Sequence, residues 1–358
     1  MLEKQQKAFF STILLTWNKS SNKRSMPWKG EKDPYRIWLS EIILQQTRVE
    51  QGLAYYERFV IRFPTIGSLA EAAEADVFKL WEGLGYYSRC RNLIHTAKHI
   101  HNELGGVFPD SFEGLLALKG IGEYTASAIG SFAFGLPYAV VDGNVLRVLT
   151  RVFGIDAPID QSAGRAMLNK LAQELIDKKQ PGDYNQAIMD FGATVCKPMQ
   201  PICLGCPFEK NCIALKEKKQ AIFPVKSPKK KPRDRWFNYL VLIHDGNLLV
   251  KQRLQKDIWE KLYEFVLKEE SGANADASII DPAFWGLNKS LFKKSTIHLS
   301  QELIHQLTHQ TIHCRFLRVT IQEKILIDGH HWVSATDALQ FAFPRLITKY
   351  VESLPLNT

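Results

Sequence analysis

The chain has 358 residues, of which 45% are hydrophobic by type, and its 46 Lys and Arg outnumber its 37 Asp and Glu to give a formal net charge of +9. That length predicts two or three domains, and the basic balance favours a polyanionic partner, either nucleic acid or an anionic membrane surface. Met1 to Lys7 hold no apolar signal core and no later run is long enough to span a bilayer, which argues against secreted and membrane-spanning classes and predicts a soluble, cytoplasmic chain.

Apolar positions at helical spacing (Phe9, Ile13, Leu14, Trp17) predict a first helix over residues 2 to 18. A polar stretch from Asn18 to Ser25 then leads to Met26-Pro27-Trp28. Asp33-Pro34 supplies an N-cap acid and a proline at the first helical position, so a second long helix should start there and run through Ile37, Trp38, Ile42, Leu44 and Val49. Glu41 lies inside it. Its neighbours at i±3 and i±4 are Ile37, Trp38, Leu44 and Gln45, which surround the carboxyl mostly with carbon, and such desolvation raises a carboxyl pKa. Further helical patterns cover 68 to 82, 89 to 104 and 111 to 118. Between the first two, Gly83-Leu84-Gly85-Tyr86-Tyr87 reads as a protruding loop, with Leu84 as an apolar wedge and Tyr86 as a stacking face of the kind used by duplex-distorting proteins. A turn with aromatic anchors is the blander alternative.

Leu118-Lys119-Gly120-Ile121-Gly122 ends one helical pattern, and Tyr124 to Ile129 opens another, rich in small residues. Two helices joined this tightly form a hairpin. Gly120 and Gly122 can take positive φ and bring bare N–H groups to the mouth of the second helix, where a phosphate oxygen is bound without any base being read. Val140-Val141-Asp142-Gly143-Asn144 then places an acid after an apolar run. Helices are expected again over 145 to 153, 164 to 175 and 184 to 192. Residues 217 to 235, dense in Lys, Arg and Pro, read as an exposed basic linker. From Trp236 the period changes: Tyr239 to His244 and Leu248 to Val250 flank Asp245-Gly246-Asn247 as a β-hairpin, and another strand is expected near Cys314 to Ile321. The C-terminal region is therefore α+β.

Four of the six cysteines, Cys196, Cys203, Cys206 and Cys212, give the spacing C-x6-C-x2-C-x5-C. Thiols so close in a chain without a secretory signal point to a bound metal, zinc or an iron-sulfur cluster. One C-x2-C knuckle where structural zinc usually uses two leans to a cluster without deciding the matter.

With these stretches in view, the chain resembles the helix-hairpin-helix DNA glycosylases that carry a four-iron, four-sulfur (4Fe-4S) cluster, and within them the adenine glycosylases, across nearly its whole length. The resemblance rests on Met26-Pro27-Trp28, Ser40 to Thr47, Trp81 to Tyr87, the hairpin, Val141 to Val145 and the four-cysteine loop. It implies a mainly α fold: a six-helix barrel over 29-135 with the hairpin, an iron-sulfur cluster domain from 1-28 and 136-216, the basic linker 217-235, and a Nudix-like lesion-recognition domain over 236-358. It further implies base-excision repair on duplex DNA, with adenine removed opposite 8-oxoguanine or guanine. Glu41 matches the acid that protonates the adenine, Asp142 the carboxylate that stabilises or attacks the sugar cation, and Tyr124 and Asn144 positions that hydrogen-bond within this site. Arg24 and Trp28 match positions near the adenine pocket. Gln46, Thr47, Leu84 and Tyr86 match residues that fill the gap and contact the oxidised guanine, Gly120 and Gly122 the hairpin, and the four cysteines the ligands of one 4Fe-4S cluster.

Relatives in the same superfamily that process thymine glycol carry a Lys where Tyr124 stands, and that Lys attacks the sugar. Tyrosine forms no Schiff base, so a monofunctional glycosylase that leaves an abasic site is expected. The C-terminal region holds no G-x5-E-x7-R-E-x2-E-E array, which opposes a nucleotide-pool pyrophosphatase. Leu307-Thr308-His309 aligns with the Phe-Ser-His loop that touches 8-oxoguanine in the family; Thr308 and His309 keep a hydroxyl and the imidazole, and the aromatic is lost. Lys119 replaces the usual hairpin Pro, and Leu146 stands where some members have Lys. The expected protein works as a monomer, nucleoid-associated if bacterial. The competing readings are an oxidised-pyrimidine glycosylase of the same superfamily and a DNA-binding iron-sulfur protein without catalysis.

Overall fold

The computed structural model of the chain describes residues 4–228, 231–293 and 295–354. In chain order the helices are α1 (Lys4–Ser20), α2 (Pro34–Leu44), α3 (Val49–Arg62), α4 (Ile66–Ala70), α5 (Glu74–Trp81), α6 (Tyr87–Glu103), α7 (Phe112–Leu116), α8 (Glu123–Ala133), α9 (Gly143–Phe153), α10 (Ser162–Leu175), α11 (Pro181–Thr194) and α12 (Ile213–Lys216). Strands β1 (Arg233–His244), β2 (Asn247–Gln252), β3 (Tyr263–Glu264) and β4 (Val266–Glu270) precede α13 (Asp276–Ile280). Strands β5 (Thr296–Leu299), β6 (Leu303–Gln306), β7 (Gln310–Thr320) and β8 (His331–Ser334) precede α14 (Ala335–Ala338) and α15 (Arg345–Glu352). The described residues fall into two compact units, one within Met1–Glu71 and Asn92–Pro228, the other within Ala72–Arg91 and Lys229–Thr358.

In the first unit α1, α9, α10 and α11 close around one core that includes Leu14, Trp17, Val148, Leu149, Leu168, Ile188 and Phe191. Each such fully buried side chain contributes roughly 1.5–3 kcal/mol relative to exposure. Helix α2 packs against α8 and α3. Thr125, Ala126, Ser127 and Ala128 are buried on α8, and their small volumes let α2 approach closely. Asp33 caps α2 by accepting from the Tyr35 N–H, with Pro34 at the first position as its sequence predicts. The helix stops at Leu44, however, and does not reach Val49. Gln46 takes φ 56°, and Thr47 N–H donates to the Leu44 carbonyl at 3.1 Å, so the chain turns there and restarts as α3. The pattern over 68 to 82 likewise divides into α4, begun by a capping box of Thr65 and Ser68, and α5.

The stretch 217–235 is not a free tether along its whole length. Phe223 is buried and its carbonyl accepts from Arg151 Nε at 3.1 Å, while Val225 accepts from the Ile159 N–H at 3.0 Å. Phe223 and Val225 dock the basic run through their backbone carbonyls. At its far end β1 already begins at Arg233.

The second unit is built on a mixed sheet with the strand path β3-β2-β1-β7-β5. Asp245 and Gly246, both at positive φ, make the tight turn between β1 and β2, which pair as Ile243↔Leu248. Strand β1 runs parallel to β7, with Phe237 opposite Cys314 and Leu240 opposite Leu317. Alternate β1 residues serve two cores: Leu240 and Leu242 join Ile279, Leu317 and Val319 on one face, while Tyr239 stacks on Phe316 on the other. Tyr350 of α15 covers that second face, stacked on Phe316 at 4.0 Å. Strand β6 pairs with β7, so residues 307–309 form the tip of a hairpin closed by Leu307 N–H to the Gln310 carbonyl at 2.8 Å.

Candidate active site

Helix α2 holds Glu41 at 8% exposure on the face turned to α8. Burial pushes its carboxyl up to about 7; the Tyr124 hydroxyl, donating to it, pulls the other way, and the nearby charge of Asp142 adds to the rise. Tyr124 sits in the first turn of α8, and Asp142 is the N-cap of α9. The Asp142 carboxylate accepts from the Val145 N–H at 2.8 Å through Oδ1 and from Asn144 Nδ2 at 2.7 Å through Oδ2. A capping carboxylate with two donors at a helix N-terminus is fixed in orientation. The four residues predicted as catalytic, Glu41, Tyr124, Asp142 and Asn144, therefore line one cavity of about 360 Å³, together with Arg24, Trp28 and Thr47.

Two supporting residues escaped the sequence reading. Arg147, one turn along α9, donates to Asn144 Oδ1 at 2.7 Å, to the Gly192 carbonyl at 2.7 Å and to the Cys196 carbonyl at 2.7 Å, joining the Asp142 and Asn144 pair to the first cysteine. Its signal was available: Arg147 and Arg151 lie four apart on a helix that is otherwise mostly apolar. The second, Asp190 on α11, has no exposed surface and accepts from Arg24 at 2.9 Å, Lys29 at 2.9 Å, Asn22 at 2.8 Å and Gln186 at 3.0 Å. It pins the segment that carries Arg24 and Trp28 to the cavity wall. Nothing in the local sequence announces a partner so far away along the chain. Trp28 packs edge-on against Tyr56 with centroids 5.3 Å apart.

The hairpin between α7 and α8 turns through Gly120 at φ 81°, where a Cβ would lie 2.6 Å from that of Asn92. Gly122 differs from expectation. It is the N-cap of α8 at φ −96°, a conformation any residue adopts, and space around its Cα is open. Its contribution is to leave that helix mouth without a side-chain cap. Gln46 is exposed at the turn after α2, and Thr47 donates to the Gln45 carbonyl at 3.3 Å.

In the second unit the wedge loop is wound tightly, with Gly83, Gly85 and Tyr86 all at positive φ. Trp81 Nε1 and Arg89 both donate to the Gly85 carbonyl, at 3.0 and 3.3 Å. Leu84 is buried at 6% exposure, so in this state only Tyr86, at 44%, is presented. The Tyr86 hydroxyl lies 2.7 Å from Thr308 Oγ1, and the backbone carbonyl of His309 accepts from the Arg233 N–H at 3.0 Å.

Cys196, Cys203, Cys206 and Cys212 line one small pocket in the first unit. Among the described residues no group of three or more His, Cys, Asp or Glu is placed to hold a single metal ion. Burial pushes the Cys206 thiol up to about 11, and the neighbouring cysteines add to it. The Arg151 guanidinium stands 3.5 Å from Cys196 Sγ and bonds the Lys197 and Pro198 carbonyls at 2.6 and 3.0 Å, placing positive charge beside the sulfurs.

Comparison with known proteins follows the same division. Residues 39–176 match the HhH-GPD superfamily base excision DNA repair protein family, and residues 238–353 match the NUDIX domain. An adenine DNA glycosylase of Buchnera aphidicola subsp. Acyrthosiphon pisum is 31% identical over 98% of this chain and 99% of its own. The chain belongs to the adenine DNA glycosylase family. The human adenine DNA glycosylase is 44% identical over 57% of this chain and 39% of its own length. Among solved structures, a thermostable thymine-DNA glycosylase aligns with TM-score 0.55 and 28% identity, covering 60% of this chain and 98% of that one. An endonuclease III complex with DNA aligns at TM-score 0.52 and 21% identity over 61% of this chain, a likeness of fold. The adenine DNA glycosylase family thus accounts for the whole length, helical unit and C-terminal sheet together.

Proposed function

We propose that the protein removes adenine opposite 8-oxoguanine, or opposite guanine, from duplex DNA and leaves an abasic site. The observation that carries this reading is the pair of carboxyls in one cavity: Glu41 buried, with its pKa raised to about 7, and Asp142 held at the N-cap of α9 by two donors. Breaking a purine N-glycosidic bond leaves electrons on the base and positive charge on the deoxyribose. Glu41 gives its proton to the departing adenine while Asp142 faces the developing cation. Water adds to the sugar and its proton returns to Glu41, which restores the starting state. Tyr124 and Asn144 orient the two carboxyls. The cavity is reached only by a base swung out of the stack.

With tyrosine at 124 the cavity offers no amine at that position for a Schiff base, which supports hydrolysis without strand cleavage. The four cysteines fit a 4Fe-4S cluster by their shared pocket and by the Arg151 guanidinium beside them. When bound, such a cluster supplies thiolate-held iron that staples a loop with little core of its own. Thr308 and Tyr86, joined by a hydrogen bond, would meet the oxidised base opposite, which supports a lesion-sensing role for the second unit.

The test is single-turnover base release from a duplex with A opposite 8-oxoguanine, beside duplexes with thymine glycol and with C opposite 8-oxoguanine, each with and without alkali. The adenine strand should break only after alkali. Processing of thymine glycol, or breakage without alkali, would overturn the reading.

A further inference from the structure

Residues 72–91 lie inside the stretch that matches the glycosylase superfamily, yet they cluster with the C-terminal domain. Glu82, the residue after α5, shows how. Its Oε1 accepts from the Phe343 N–H at 3.0 Å and from the Thr348 hydroxyl at 2.7 Å, and its Oε2 accepts from the Lys79 ammonium at 2.6 Å. Lys79 donates in turn to the Phe341 carbonyl at 3.0 Å. The two side chains thus satisfy a backbone donor and a backbone acceptor two residues apart, as a neighbouring strand would. Phe343 and Thr348 bracket the start of α15, whose N-cap is Pro344 and has no side-chain cap. A carboxylate at that point is favoured by the helix dipole.

Glu82 directly precedes the wedge loop, and the other end of that loop is tied as well: Tyr86 to Thr308, and Arg91 to Glu260 by its side chain at 3.3 Å and its carbonyl at 3.1 Å. Helix α15 stacks through Tyr350 on Phe316 of β7, the strand that leads back to the hairpin tip holding Thr308. Wedge loop, α15 and tip form a closed ring of contacts within one unit. We propose that Glu82 is a positioning residue that clamps the wedge loop to the C-terminal domain, so that contact with the oxidised base at the tip and insertion of the wedge occur as one event. Preference for A opposite 8-oxoguanine over A opposite G then depends on a side chain that touches neither base. This rests on the substrate proposed above.

Single-turnover adenine release is measured on both duplexes for the full-length wild type, Glu82→Ala, Glu82→Gln, Thr348→Val and Glu82→Ala/Thr348→Val. Glu82→Ala is expected to lower the ratio of the two rates by about tenfold, the order of one lost hydrogen bond to a charged group. Glu82→Gln keeps the acceptor for Phe343 and Thr348 but loses the one for Lys79, and should keep more of the ratio than Glu82→Ala. Thr348→Val should lower it less, and add nothing in the Glu82→Ala background, because both act through one contact. An unchanged ratio in Glu82→Ala, or equal loss on both duplexes, overturns the inference. If Glu82→Ala is insoluble, Thr348→Val decides, since a ratio equal to wild type overturns it too. A wild type with no preference to lose contradicts the substrate reading instead.

Discussion

Glu41, the acid of the proposed reaction, is held against stability. Its folded pKa of about 7 exceeds the ordinary carboxyl value of 4.5, so the fold prefers it protonated. The stability this confers is fully present below about pH 4.5 and is lost as pH rises through about 7, when a charge must sit in a carbon-lined wall. Glu41→Gln removes that charge and is expected to raise stability at pH 8 by up to about 3 kcal/mol while abolishing base release; thermal melts at pH 5 and pH 8 check it, with the gain confined to the higher pH. Asp190 is the opposite case. Four donors converge on a carboxylate with no exposed surface, so Asp190→Ala leaves Arg24 and Lys29 without their buried counter-charge. A loss of about 3–5 kcal/mol in urea unfolding is expected, far above the effect of a surface acid such as Glu103.

At the scale of the element, the two glycines of the α7–α8 hairpin part company. Gly120→Ala forces a Cβ into a left-handed turn and against Asn92, and should cost about 1–3 kcal/mol and weaken binding to any duplex regardless of sequence. Gly122→Ala meets open space at an ordinary φ and should cost less than about 1 kcal/mol. Paired unfolding curves and duplex titrations of the two variants check both. The glycine pattern marked the turn, but it did not say which glycine needed positive φ. The same limit applies to α2: apolar spacing continued from Leu44 to Val49, and only the backbone at Gln46 revealed a turn that presents Gln46 and Thr47. Periodicity reports which face is buried and is blind to one left-handed residue.

For the whole molecule, what lay close together in the chain was legible and what met across it was not. Glu41 in its carbon-lined helix, Asp142 after its apolar run and the four cysteines could be picked out from local pattern, and the structure brings Glu41, Tyr124, Asp142 and Asn144 around one cavity. Asp190 beneath Arg24, Arg147 reaching from Asn144 to Cys196, and Glu82 at the foot of α15 depend on contacts that no local pattern encodes. The C-terminal domain was legible as a change of period; its capture of residues 72–91 was not. Adenine release by a protonated Glu41 is tested most directly by the pH profile of single-turnover release from a duplex with A opposite 8-oxoguanine, wild type beside Glu41→Gln. The rate should hold steady on the acid side and fall about tenfold per pH unit above about 7, with no release by Glu41→Gln at any pH. A rate that rises through pH 7, or release by Glu41→Gln within about tenfold of wild type, would contradict the role of Glu41 as the acid.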